Sequence, residues 1–158
     1  MIITGAAMGL GYAAAKELAS KGAHLVLVDY NQKSLEDAKS EIIKEFPQAK
    51  IITVVADVSK EYTVKNYVDE AVKAFGRIDG FYNNAGIEGR QAPITEYDVD
   101  VFKKVIDINL MGVYYGMRYV IPVMQKQQFG RIVNVASVGG IRGVLNQTPY
   151  VASKHAVS

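Results

Sequence analysis

The chain has 158 residues, 49% of them hydrophobic and 22% charged, which suits one globular domain that buries about 70% of its unfolded-chain surface. Its 18 Lys and Arg residues are dispersed among 16 acids for a net charge of +2, so neither nucleic acid nor an anionic membrane is an expected partner. With no cysteine there is no disulfide framework, thiolate nucleophile or Cys-based zinc site, and a reducing compartment, the cytoplasm, is the expected home.

The first residues, Met1-Ile2-Ile3-Thr4-Gly5, lack the basic segment, apolar core and cleavage site of a signal peptide, and no apolar stretch is long enough to span a bilayer. A soluble protein is expected. A first strand is expected at residues 2–4 and a helix at 9–20, joined by Thr4-Gly5-Ala6-Ala7-Met8-Gly9-Leu10-Gly11. Glycines there permit a tight turn and let the backbone approach a pyrophosphate, which the exposed N–H groups of a helix start can bind. A literal G-x-G-x-x-A match begins only at Gly9, so Gly5 is assigned the turn itself.

A second strand, at 23–28, leads into Asp29, about twenty residues beyond the glycines. A carboxylate there binds adenosine ribose hydroxyls and repels a 2′-phosphate. Neither Met8 nor Tyr30 offers a compensating cation, so NAD(H) is expected over NADP(H); the plainer reading of Asp29 is an N-cap or turn residue. Helix 33–46 carries an apolar stripe of Leu35, Ala38, Ile42 and Phe46. Strand 50–56 ends at Asp57, which either begins a turn before Ser59 or accepts from the adenine amino group.

Helix 60–75, strand 80–83, a loop at 85–97, one long helix at 98–127, strand 131–136, a loop at 137–148 and a helix from 149 complete the chain. The strands are short and mostly apolar throughout, the pattern of strands covered on both faces. Right-handed crossovers then give an α/β, Rossmann-type doubly wound parallel sheet of order 3-2-1-4-5, one dinucleotide-binding domain over residues 1–158. Ligand belongs at the switch point between strands 1 and 4, at their carboxyl ends.

In the last helix Tyr150 and Lys154 form a Tyr-x-x-x-Lys pair, thirteen residues after Ser137. With Thr148 as cap and Pro149 in the first position, both side chains fall on one face, one turn apart. A phenol ordinarily titrates near pH ~10, so proton transfer near neutrality needs a stabilised phenolate, and a neighbouring ammonium supplies part of that. His24 and His155 receive no role, and no His, Asp or Glu cluster has metal-ligand spacing.

Thr4-Gly5-x-x-x-Gly9-x-Gly11, Asp57-Val58, Asn83-Asn84-Ala85-Gly86, Asn109, Ser137 and Tyr150-x-x-x-Lys154 stand in the order and spacing of one family. The chain resembles the short-chain dehydrogenase/reductases. Residues 75–89 and 136–147 look especially like NAD-dependent members that act on cyclic ketones. The resemblance implies hydride transfer between nicotinamide and a secondary alcohol or ketone, with Tyr150 as proton donor, Ser137 on the carbonyl oxygen, and Lys154 on the tyrosinate and the nicotinamide ribose. It also implies that Asn109 locally opens its helix and binds a water linking Lys154 to solvent. Gly5, Gly9, Leu10, Gly11, Asp29, Asp57, Val58, Asn84, Ala85 and Gly86 fall at the family's cofactor-binding positions, and a homotetramer is implied.

Family members continue past the Tyr-x-x-x-Lys helix into further strands and a substrate-covering segment, whereas this sequence stops at Ser158. The expectation is therefore an incomplete domain whose strand 5 has an unpaired, aggregation-prone edge. A non-catalytic dinucleotide-binding or interaction protein is the alternative function.

Overall fold

Five parallel strands form the centre of the computed structural model, which describes residues 1–158. They are β1 (Ile2–Thr4), β2 (Leu25–Asp29), β3 (Ile51–Val55), β4 (Gly80–Asn83) and β5 (Arg131–Asn134), in the expected order β3-β2-β1-β4-β5. Thr4 stands beside Val28, Asp29 beside Val55 and Asn83 beside Asn134, so the carboxyl ends of the strands share one rim.

Alternation along each strand divides the core into two layers. Ile3, Leu25 and Leu27 point to one face, where they pack with Ala15 of α1 (Gly9–Ser20) and with Leu35 and Ile42 of α2 (Gln32–Glu45). Ile2, Val26, Val28 and Phe81 point to the other, against Tyr67 of α3 (Glu61–Phe75) and Val120 of α5 (Gly112–Lys126). Because both faces are covered, β1 and β2 are buried along their whole length, as their unbroken apolar runs require. The stripe of α2 buries Leu35, Ala38 and Ile42 as expected, while Phe46 packs against the same layer from just beyond the helix end.

Three expectations change, the third at the start of the last helix. The long helix is not continuous: α4 (Val99–Ile106) passes into a π-helical turn at Asp107–Met111 before α5 begins. Strand β5 is not covered on both faces, since Arg131 and Val133 are exposed and Ile132 and Asn134 only half-buried. It is the edge of the sheet.

The final helix, α6, spans Thr148–Val157. Thr148 is its first residue rather than its cap; Gln147 takes the cap position without a side-chain bond, and Pro149 stands in the first turn, where its missing N–H has no intrahelical partner to lose. Short 3₁₀ turns at Ile94–Glu96 and Val138–Gly140 lie within the two long loops, which are joined where the Ala92 N–H donates to the Asn146 carbonyl at 3.0 Å.

One core side chain is imperfectly satisfied. The Tyr67 hydroxyl is fully buried with no hydrogen-bond partner, and burial pushes its phenol pKa up. An unpaired buried hydroxyl costs about 1–3 kcal/mol, more than the packing a single oxygen contributes. Tyr67→Phe is therefore expected to raise the thermal midpoint by about 2–4 °C per kcal/mol recovered, measured by calorimetry; a lower midpoint contradicts it.

Candidate functional site

At the cofactor end, Gly5 turns the chain out of β1 with φ +65°, a left-handed conformation that only glycine adopts readily. A Cβ at Gly11 would lie 2.8 Å from the Gly5 carbonyl carbon, so the helix can approach the turn only because that position is bare. No side chain caps α1 and no acid stands in its first turn; Asn31 caps α2 and Asp98 caps α4, while α3 and α6 also lack a side-chain cap. The leading N–H groups of α1 are left to an anion, and this fits a pyrophosphate. Leu10 in that first turn is 69% exposed.

Asp29, largely buried at the end of β2, accepts from the Ala7 N–H through Oδ2 and from the Asn31 N–H through Oδ1, each at 3.1 Å. The carboxylate thus ties the glycine-rich turn to the entrance of α2, so the turn role is real and is compatible with a ribose contact. Asp57 makes the turn foreseen for it, Oδ1 accepting from the Ser59 N–H at 3.0 Å and from its hydroxyl at 2.7 Å. Val58, next to it, is buried in the layer that holds α3.

After β4, the Asn84 side chain donates to the Thr4 carbonyl at 3.0 Å, and the N–H groups of Asn84 and Ala85 both donate to the Thr4 hydroxyl. Thr4 is fully buried and couples the two loops of the switch point. Asn83 faces the sheet, donating to Asn134 Oδ1 and the Val113 carbonyl at 3.1 Å each. The turn-forming reading of the asparagines is thereby partly right: they secure backbone and lie at the crevice.

Asn109 occupies the π turn and is completely buried. Its Oδ1 accepts from the Ile87 N–H at 2.8 Å, while Nδ2 donates to the Ile87 carbonyl at 2.9 Å and to Ser153 Oγ at 3.0 Å. Ser153 in turn donates to the Tyr150 carbonyl at 2.8 Å. The expected local opening of the helix is present, and the amide serves the chain after β4 and α6. A methyl group at Gly86 would sit 3.2 Å from Asn109 Oδ1 and 3.6 Å from Lys154 Nζ, so both heads gather around one glycine.

Lys154 is nearly inaccessible, donating to the Val135 carbonyl at 2.7 Å with its ammonium 5.8 Å from the centre of the Tyr150 ring. The Tyr150 ring is half-buried, and across from it Ser137 Oγ accepts the Gly139 N–H at 3.1 Å. The structure therefore brings Ser137, Tyr150, Lys154 and Asn109 together beyond β4 and β5. His24 stacks near Phe75 at 5.2 Å, and His155 Nδ1 faces the Val151 carbonyl on the exposed side of α6. Sequence reasoning missed Ser153, whose only signal is its place one turn from Tyr150 on the inward face, and the hydroxyl role of Thr4.

Several comparisons bear on this arrangement. A family model described as short chain dehydrogenase matches residues 1–158. Levodione reductase of Leifsonia aquatica is 49% identical over 157 residues, and cyclohexanol dehydrogenase of Acinetobacter sp. (strain SE19) is 35% identical over 157 residues; each alignment covers 99% of this chain. The crystal structure of levodione reductase superposes with a TM-score of 0.96, and that of NAD+-bound xylitol dehydrogenase with 0.95 at 37% identity, each over 99% of this chain. The chain spans 59% of the levodione reductase sequence, 62% of the cyclohexanol dehydrogenase sequence, and 60% and 59% of the two crystallised chains.

Burial holds the Lys154 pKa below the usual lysine value of 10.5. Between that lowered pKa and 10.5 the unfolded chain keeps a proton that the folded protein has released, so stability rises with pH across the window. Lys154→Met is expected to lose this upward slope, read from denaturant midpoints as the pH is raised from neutral toward 10.5. Parallel slopes in both proteins would assign the ammonium no such penalty.

Proposed function

The chain belongs to the short chain dehydrogenase family, and from that premise we propose an NAD(H)-dependent oxidoreductase that interconverts a secondary alcohol and its ketone, with cyclic ketones as the substrate class. The observation that carries the reading is the pairing of Tyr150 with a buried Lys154 on one turn of α6, opposite Ser137. The names of levodione reductase and cyclohexanol dehydrogenase support the cyclic substrate, and the NAD+ bound to xylitol dehydrogenase supports the cofactor.

Gly5, Gly9, Leu10 and Gly11 would hold the pyrophosphate, Asp29 the adenosine ribose, Asp57 and Val58 the adenine, and Asn84, Ala85 and Gly86 the nicotinamide side. Nicotinamide, when bound, supplies the hydride acceptor or donor at its C4. In the reducing direction Tyr150 gives its phenolic proton to the developing alkoxide, and Ser137 donates a hydrogen bond to the same oxygen, orienting the carbonyl and stabilising its growing charge. Lys154 would stabilise the tyrosinate left behind and hold the nicotinamide ribose, and Asn109, which keeps α6 in register, would bind the water that links Lys154 to solvent. The assembly we propose is a cytoplasmic homotetramer; Tyr114 and Ile121 on the outer face of α5 are exposed apolar surface suited to one of its interfaces.

Catalytic efficiency with NADH should exceed that with NADPH, because Asp29 presents a carboxylate to any 2′-phosphate. A clear preference for NADPH would overturn the cofactor assignment.

Tyr150→Phe removes the proton-transfer group while keeping the ring. Turnover of a cyclic ketone should fall by ~10² to 10⁴ with NADH affinity nearly intact, whereas Lys154→Met should weaken both. Near-normal turnover of Tyr150→Phe at neutral pH would show that another group transfers the proton.

A further inference from the structure

Ser137 and Tyr150 belong to different elements, and the 3₁₀ turn Val138–Gly140 lies between them. Gly139 in that turn touches both. Its N–H donates to Ser137 Oγ at 3.1 Å, and a methyl group built on its Cα would lie 3.2 Å from Cε1 and 3.4 Å from Cδ1 of the Tyr150 ring, and 3.7 Å from Ser137 Oγ. Backbone conformation does not call for glycine at this position, since its φ lies outside the left-handed region. Space does. Gly140, also buried, differs in kind: a Cβ there would meet the Lys154 carbonyl oxygen at 2.7 Å, so its bareness lets the turn pack on the backbone of α6 rather than on the reacting side chains.

We infer that Gly139 is a positioning residue for the proton-transfer pair, its amide fixing the Ser137 hydroxyl and its bare Cα fixing how close the Tyr150 ring sits to that hydroxyl. A serine hydroxyl has one proton and two lone pairs. With one lone pair engaged by the Gly139 N–H, the Ser137 proton turns away from the amide and is free to donate to a substrate oxygen. The phenol edge stands where a Cβ on Gly139 would be too close to it, so a side chain there displaces the ring or the turn that carries Ser137 by a few tenths of an ångström while leaving the glycine-rich turn, Asp29 and Thr4 untouched. Misplacement by 1 Å costs roughly 10²-fold in rate, and a shift of a few tenths of an ångström is expected to cost several-fold.

The inference rests on the proposed ketone chemistry, and the full chain with NADH and a panel of cyclic ketones tests both. Gly139→Ala should lower kcat several-fold and Gly139→Val by more than about tenfold, with NADH affinity within about twofold of the wild type. Because the effect runs through the phenol, Gly139→Ala should lower kcat much less in a Tyr150→Phe background than in the wild type, a non-additivity that general loosening of the fold would not produce. The Tyr150 ring resonances, identified by their loss in Tyr150→Phe, should move in Gly139→Ala while those of Tyr67 and Tyr97 stay in place. Equal losses in both backgrounds, unchanged kcat in Gly139→Val, or unmoved Tyr150 resonances would overturn the inference. A wild-type chain that binds NADH and reduces no ketone would refute the proposed function instead, and the ring resonances alone would then decide the role of Gly139.

Discussion

A single buried amide holds the two halves of the candidate site together. Asn109 satisfies both backbone groups of Ile87 and reaches Ser153 of α6, which holds the Tyr150 carbonyl. A regular α-helix would close its own hydrogen bonds without regard to Ile87. The π turn at Asp107–Met111 lets the side chain of Asn109 stand inward, and the neighbouring segments supply its three partners. Removing that amide would leave the Ile87 N–H and carbonyl without partners, a penalty of about 1–3 kcal/mol for each. The position of Tyr150 relative to the loop after β4 thus depends on one residue that belongs to neither.

At the other end of the crevice Asp29 and Thr4 have corresponding roles. Asp29 joins β2 to the glycine-rich turn through Ala7, and Thr4 joins β1 to the loop after β4 through Asn84 and Ala85. Each bond crosses from one strand's loop to the next, so the rim is a chain of mutually held loops. A carboxylate that already accepts two backbone N–H groups is held in one orientation, and a ligand hydroxyl meeting it need not order the side chain first.

Most of this fold was legible because the strands are apolar runs of the right length and the glycines stand where a strand meets a helix. Ile2, Ile3 and the run from Leu25 to Val28 could be placed at once, and the order β3-β2-β1-β4-β5 follows from right-handed crossovers. Tyr150, Lys154 and Ser137 were legible as a spacing. What was not legible shares a physical reason. The π turn differs from an α-helix by one residue in its hydrogen-bond ladder, which leaves no trace in composition or period, so residues 98–127 read as a single helix and only the family resemblance at Asn109 implied its opening. Ser153 and Gly139 matter through contacts across 44 residues or through empty space, and neither property is carried by residue type. The exposure of β5 depends on which neighbour a strand has, something its own four residues do not record.

The distribution of buried polarity locates the site independently of any family likeness. Tyrosines apart, the buried polar residues are Thr4, Asp29, Asn83, Asn109, Ser153 and Lys154, and they lie either at the carboxyl end of a strand or in the helical segments packed against that rim. Hydrophobic packing would be stronger with apolar residues in those positions, because burying a polar group gives at best a small net gain when its bonds are complete. Five of the six bond to neighbouring segments, Thr4, Asp29 and Asn109 to the loops of the rim, Asn83 to α5 and β5, and Ser153 to Asn109 and within α6, so their effect is to fix the geometry of the rim more than to add stability. Lys154 is the exception. It brings a full charge into the interior with the Val135 carbonyl as its hydrogen-bond acceptor and no carboxylate partner, which burial penalises. Within this rim, the place where the fold bears that penalty, beside Tyr150, is the place where the chemistry is to be sought.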